Sequence, residues 1–290
     1  MITKLRKFVH LVASDEAQDR IRLDRRLGEL PGVRTLWSFW KQTRARLTQR
    51  SAGDYVRMQK QTFNLFASAD QVTSGDIGGD FVAGSWREHD AWADYETYLM
   101  KYVPREPVWV ALEYGCGPGR NLRRWSTRFA RIDGVDIAAK NLENARAFLQ
   151  GQIDPAKMPN LYLTEGMNCG DAPQAAYDFA FSTICLQHIC VHEVRLAILR
   201  SLFECLKPGG RLSAQMGFGS PSPATVPYHE NHYAATSTNR DCDTEVADAG
   251  QISADLAGIG YVEFEHWIRP PGPGDCHPNW IFFTATKPRA

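Results

Sequence analysis

The stretch VWVALEYGCGPGRNLRRW, residues 108–125, constrains the fold more than any other part of the chain. An apolar, β-branched run reaches Glu113, glycines fall at Gly115, Gly117 and Gly119, and a polar, basic, helix-forming segment follows. A strand that turns through glycines into a helix exposes the first N–H groups of the helix and lets a ligand approach the backbone. Such a loop is weak evidence by itself, because glycine serves any tight turn. Here the strand–helix alternation continues. RIDGVDIA predicts a second strand and AAKNLENARAFLQG a second helix stopped by Gly151. NLYLTE, YDFAFST and GRLSAQM predict three more strands, with VHEVRLAILRSLFECL a helix between the last two. Alternation of this kind predicts a parallel sheet covered by helices on both faces, with ligands at the carboxyl ends of the strands. YVEFEHWIRP and NWIFFTATK have only a Pro/Gly loop between them, which predicts an antiparallel pair.

Upstream, the pattern is helical. Trp37, Trp40, Arg44 and Leu47, then Tyr55, Met58, Phe63 and Phe66, recur at helical spacing, and SADQVTSGDIGGD at 68–80 interrupts them with loop chemistry. A further helix, WREHDAWADYETYLMKYV, stops before Pro104. The expected organisation is a helical N-terminal cap over 1–104 and an α/β domain over 105–290, with an acceptor-side insertion at 217–250. Basic and acidic side chains balance at 33 each, so composition requires no polyanionic partner. Residues 1–50 carry 12 Lys/Arg against 5 Asp/Glu, read as a solvated helical face, with a polyanion-binding arm as the alternative. No apolar run has signal-peptide or bilayer-spanning character, so a cytoplasmic protein without membrane attachment is expected. Seven cysteines, odd in number and without a C-x-x-C pair, read as reduced thiols.

Asp136 ends the second predicted strand, where a carboxylate can accept hydrogen bonds from both hydroxyls of a ribose. Glycine loop and acid together imply an adenosine-type cofactor. A dinucleotide prefers G-x-G-x-x-G, whereas this loop reads G-C-G-P-G with Arg120 next. With E-Y-G-C-G-P-G at 113–119, V-D-I at 135–137, YDFAFSTICLQHI, the L-K-P-G-G turn at 206–210 and the closing hairpin, residues 105–290 resemble the class I S-adenosylmethionine-dependent methyltransferases. That resemblance implies an α/β, doubly wound, seven-stranded, mostly parallel sheet with a C-terminal antiparallel strand pair. It implies S-adenosyl-L-methionine as cofactor, its amino-acid end cradled by Gly115, Gly117 and Gly119, with Glu113 beneath and Tyr114, Cys116 and Asn121 beside them. Asp136 would take the ribose and Ile137 the adenine. Met167 and Asn168, where the family often has Gly-Asp, would meet the adenine edge, and Thr183, Ile184 and Cys185 would line the cleft near the sulfonium.

Sulfonium methyl transfer needs an aligned acceptor and, for a neutral acceptor, somewhere for a proton to go. His188, three residues beyond the fourth strand, is the candidate base; bracing of its loop is the competing role. His188 and His192 lie four apart near Cys185 and Cys190, but no third ligand is visibly aimed at them and no metal is expected. The polar insertion offers Tyr228, His229, His232 and Tyr233 as acceptor contacts, and the N-terminal helices offer Tyr55 and Trp86. A small-molecule acceptor, methylated on O or N, is the leading expectation, with no nucleic-acid partner. RNA or protein-side-chain methylation and a catalytically silent cofactor-binding protein are the alternatives. The sequence leaves the oligomeric state open.

Overall fold

The computed structural model describes residues 51–67, 91–220, 225–233, 243–272 and 277–289. The helical spacing at 37–47, the loop at 68–80 and Trp86 lie outside them. Residues from Ser51 onward belong to one compact unit. Among the described residues, helix α1 (Ala52–Phe66) comes first, and a helical turn, α2 (Ala91–Asp94), widens into a π-helical turn over Tyr95–Leu99. Then come β1 (Val110–Tyr114), α3 (Arg120–Arg124), β2 (Arg131–Asp136), α4 (Ala139–Leu149), β3 (Leu161–Leu163) and β4 (Tyr177–Ser182). The chain continues through α5 (His192–Cys205), β5 (Leu206–Phe218), β6 (Thr225–Pro227), β7 (Asp243–Val246), α6 (Ala249–Ile259), β8 (Val262–Arg269) and β9 (Asn279–Thr286).

Strands β3, β2, β1, β4 and β5 lie side by side in parallel, and β9 then pairs antiparallel with β5 and with β8. This is the expected seven-stranded arrangement. Strands β1 and β4 are apolar along most of their length because both faces are covered. On one face, Leu112, Ala180, Leu212 and Ala214 pack with Val194, Ile198 and Leu202 of α5 and Ile252 and Leu256 of α6. On the other, Ala111, Phe179, Phe181 and Phe282 pack with Leu122, Leu142, Leu149, Tyr95 and Leu99. The sheet is doubly wound.

Two features depart from the expectation. Helix α6 was not anticipated; Asp248 accepts from Gly250 N at 2.9 Å, Gln251 Oε1 accepts from Asp248 N at 3.3 Å, and Gly260 ends the helix at φ 118°. The insertion, expected to be too polar for the core, enters it instead. Ala214 of β5 pairs with Ser182 on one side and Phe283 on the other, whereas Gly217 and Phe218 pair with Glu245 and Val246 of β7 and with Trp280 and Asn279 of β9. Strand β7 therefore occupies β4's side of β5, beyond the end of β4, and β6 pairs with it. Val226, Tyr228, Thr244 and Val246 are buried.

Arg195 of α5 fastens this addition to the domain. Its side chain is 1% exposed, and Nη1 donates to Thr244 Oγ1 at 3.0 Å and to the Ile189 carbonyl while Nη2 donates to the Tyr228 carbonyl. Burial pulls its pKa below the ordinary arginine value. Replacing Arg195 with Met leaves the Tyr228 carbonyl without its side-chain donor and the Ile189 carbonyl with Thr244 Oγ1 alone, and we expect a loss of roughly 2 kcal/mol in denaturant unfolding. A loss below about 1 kcal/mol would mean that the insertion is held by its apolar contacts alone.

Candidate active site

The loop leaving β1 is tied to β2 at both ends of its turn. Gly115 N and Cys116 N donate to the Val135 carbonyl at 2.8 and 3.0 Å, and Gly117 N donates to Asp136 Oδ2 at 2.8 Å. Gly115, Gly117 and Gly119 have φ of 75°, 53° and 89°, the left-handed region that favours glycine. A Cβ on Gly115 would collide with Cys185 Sγ, so the glycine is what lets the end of β4 approach the loop. A Cβ on Gly117 would meet nothing within 4 Å, so the loop faces open space there.

Glu113 lies beneath this loop, 1% exposed. Its Oε1 accepts from Asn121 Nδ2 at 2.5 Å, and the same amide donates to Thr183 Oγ1 at 2.9 Å, which joins the ends of β1 and β4 to the start of α3. Glu113 Oε2 has no hydrogen-bond partner among the described residues. Burial pushes the carboxyl up to about 8, against the opposing pull of Asn121 and Arg120. A buried acceptor without a donor, under a loop with room beside it, suits a ligand that brings a cationic or N–H donor.

Asp136 Oδ1 accepts from Ala138 N and Asn141 Nδ2 at 2.8 and 3.1 Å, in addition to the Gly117 bond on Oδ2. At most one lone-pair direction remains of roughly four, so the carboxylate has room for one ribose hydroxyl rather than two. Burial raises its pKa, and the bonds from Ala138, Asn141 and Gly117 work against that rise. Tyr114 and Cys116 are turned into the two cores, so only their backbone is available at the loop. Ile137 packs against the main core, and its Cδ1, with Val56 of α1, approaches Gly166 at the head of the Met167–Asn168 turn. Asn168 Oδ1 accepts from Gly170 N and Thr164 Oγ1, leaving its NH2 for any partner.

Beyond β4, Ile184 has a φ of 47°, which is strained for a β-branched residue and turns the chain at the cleft. The turn Leu186–His188 follows. Here the structure corrects several expected acceptor contacts. Tyr55 is fully buried: its hydroxyl donates to the His188 carbonyl at 3.2 Å and accepts from Cys190 N at 2.8 Å, stapling α1 to the turn. Tyr228 is buried against Arg195, with its hydroxyl on Asp255 Oδ2 at 2.8 Å. Both are spent on packing and internal hydrogen bonds. His229 is exposed, with its ring edge-on to His192 and Tyr228; Tyr233 donates to Glu193 at 2.6 Å, and His232 N donates to the Cys190 carbonyl at 2.9 Å. His192, His229 and Asp255 bring ligand-type atoms within 4.8 Å of one another, a proximity already explained by the 2.7 Å bond from His192 Nε2 to Asp255.

One side chain that the sequence reading missed meets His188, and a second stands behind it. His188 Nδ1 lies 2.7 Å from Asp243 Oδ1 of β7, and Asp243 Oδ2 lies 3.3 Å from Nε2 of His277, at the foot of the β8–β9 loop. No local spacing announces them.

A family model for a methyltransferase domain matches residues 111–210, the segment from β1 to the start of β5. Residues 111–210 form a class I, S-adenosylmethionine-dependent methyltransferase domain. The chain is similar to a trans-aconitate 2-methyltransferase of Methylobacterium radiotolerans, 32% identical over 41% of this chain and 42% of that protein. It is also similar to an S-adenosyl-L-methionine-dependent Diels-Alderase of Talaromyces variabilis, 30% identical over 41% and 39%. The matched segments span less than half the length of these relatives. Among solved structures, phosphoethanolamine N-methyltransferase 2 of Haemonchus contortus superposes with a TM-score of 0.58 over 78% of this chain and 60% of that one, at 18% identity. An S-adenosylmethionine-dependent methyltransferase of Mesorhizobium loti gives 0.51 over 70% and 100%, at 17% identity. At such identities the likeness is one of fold.

Within the methyltransferase domain, Glu113 makes stability depend on pH. A carboxyl raised from 4.5 to about 8 stays neutral in the fold while the unfolded chain ionises, so its contribution weakens as pH rises through that window. Glu113→Gln should therefore melt progressively higher than the parent, in the ligand-free protein, as pH is raised from 5 to 8. A constant difference in Tm across that range would place the carboxyl in a solvated setting.

Proposed function

We propose that the protein binds S-adenosylmethionine at the carboxyl ends of β1 and β2 and methylates a small-molecule acceptor beside the end of β4. The observation that carries this reading is the buried, half-paired carboxyl of Glu113 under a loop whose Gly117 faces open space. The cofactor supplies an electrophilic methyl group on a sulfonium. In this reading Glu113 and the loop backbone hold its amino-acid end, Asp136 takes one ribose hydroxyl, and Ile137 and Met167 flank the adenine with the Asn168 amide at its edge. Asp136 also stiffens the loop through Gly117, so it contributes to binding twice. Thr183, Ile184 and Cys185 shape the space between cofactor and acceptor. Alignment is the main thing a transferase of this kind must provide.

A small acceptor is supported by the trans-aconitate 2-methyltransferases to which the chain is similar, one of Methylobacterium radiotolerans and one of Agrobacterium fabrum at 27% identity. The Diels-Alderase relative favours a second reading, in which the cofactor is bound and no methyl group moves. Incubation with methyl-labelled S-adenosylmethionine and a cell extract separates the two. We expect label in the low-molecular-weight fraction; label confined to RNA or protein would contradict the small acceptor, and cofactor binding without any labelled product would favour the second reading. Asp136→Ala should weaken cofactor binding by about 1.5–3 kcal/mol in calorimetry while the protein stays folded.

A further inference from the structure

We propose that His188 and Asp243 form a proton-accepting dyad, with Asp243 as the positioning residue and Nε2 of His188 as the atom that takes a proton from the methyl acceptor. The inference rests on the methyltransferase reading and narrows its substrate class to acceptors that must lose a proton, a hydroxyl or a protonated amine. A carboxylate acceptor, already anionic, would have no use for the dyad.

The roles of backbone and side chain at His188 separate cleanly. Bracing is a main-chain function: the His188 carbonyl accepts from Tyr55 Oη and Gln59 Nε2, each at 3.2 Å, and its N–H donates to the Cys185 carbonyl at 3.0 Å. None of these bonds needs an imidazole. The ring is engaged through Nδ1 with Asp243, its side chain is 33% exposed, and Nε2 has no partner among the described residues. An ionised carboxylate on Nδ1 can only accept, so it fixes the neutral ring with its proton on Nδ1 and its lone pair on Nε2. The open nitrogen is then the basic one. It sits three residues past Cys185, whose thiol lies against Gly115 of the cofactor loop.

The surroundings keep Asp243 ionised. Burial opposes ionisation, but the bonds from His188 and His277 outweigh it and hold the carboxyl well below the usual range. Asp243 of β7 meets the ring at Nδ1, and His277, before β9, meets the other oxygen of Asp243. The Tyr55 hydroxyl of α1 and the Arg195 guanidinium of α5 lie on the neighbouring carbonyls of His188 and Ile189. Glu245 Oε1 is 3.6 Å from His277 Nδ1, and the His277 ring lies where a side chain on Gly217 would stand. Asp243 is thus gripped from behind by His277 and presented to His188. The proton step balances simply. The acceptor's lone pair bonds to the methyl carbon as the carbon–sulfur pair returns to sulfur, and the acceptor's proton goes to Nε2, leaving an imidazolium beside the Asp243 carboxylate.

The test combines a reading on the ligand-free protein with turnover. Long-range proton–nitrogen correlation spectra of 15N-labelled protein should show the neutral His188 ring protonated on Nδ1, and Asp243→Ala should remove that preference. With methyl-labelled S-adenosylmethionine and the low-molecular-weight fraction of a cell extract, His188→Gln should lower kcat by about 10²- to 10⁴-fold with cofactor affinity and Tm unchanged. Asp243→Asn should lose about 10²-fold, and added imidazole should partly restore a His188→Ala variant. The acidic limb of the wild-type pH–rate profile should vanish in His188→Gln, which a bracing role would leave in place. A ring protonated on Nε2 in the parent, or methyl transfer unaffected by His188→Gln, overturns the dyad alone. A correctly protonated ring in a protein that transfers no methyl group overturns the proposed function, and the dyad's catalytic role with it. If Asp243 variants melt early, His188→Gln decides the question, because Asp243 keeps its His277 partner there.

Discussion

An ionisable carboxyl buried with one oxygen unpaired is the constraint on which the rest of the site depends. Glu113 lies near the end of β1 between two cores, and the described residues offer it Asn121 on one oxygen and no hydrogen-bond partner on the other. An unpaired buried acceptor is unfavourable, by about 1–3 kcal/mol for a group of this kind. The three positive-φ glycines above it keep side chains out of the loop, and Asp136 draws the Gly117 amide toward β2. Instability concentrated at one atom is what a binding site looks like before its ligand arrives.

Around this shared centre, the protein adds its own chemistry by lengthening one strand. Because β5 runs past the end of β4, the inserted β6 and β7 dock directly above the turn that carries His188. Arg195 spans the join, satisfying the carbonyls of Ile189 on the turn and Tyr228 on the insertion. The hairpin closes the other side of Asp243 with His277. The glycine-loop side and the His188 side of the site are therefore built from different kinds of interaction. The first is backbone geometry around glycine; the second is side-chain pairing between segments remote in sequence.

That difference explains what was legible. The glycine loop, Asp136, the β/α alternation and α5 carry short-range signatures, and each lies where the sequence predicts it. Helix α6 carried one as well, since Asp248 and Gln251 stand at capping-box spacing, but it overlaps the end of the segment read as a polar insertion. Tyr55 and Tyr228 looked like acceptor contacts because aromatic residues in polar surroundings suggest a binding surface; their hydroxyls instead close internal hydrogen bonds to Cys190 and Asp255. Asp243 was out of reach for a different reason. It lies 55 residues from His188, and only the pairing of β7 with the overhanging end of β5 brings the two together.

Calorimetric titration with S-adenosylhomocysteine in buffers of different ionisation enthalpy tests the central claim most directly. If the ligand's amino group is what the unpaired oxygen of Glu113 awaits, binding converts a carboxyl held neutral up to about pH 8 into a carboxylate. The account predicts release of a proton on binding near pH 7, lost in Glu113→Gln. Binding without proton release, or no binding at all, would contradict it.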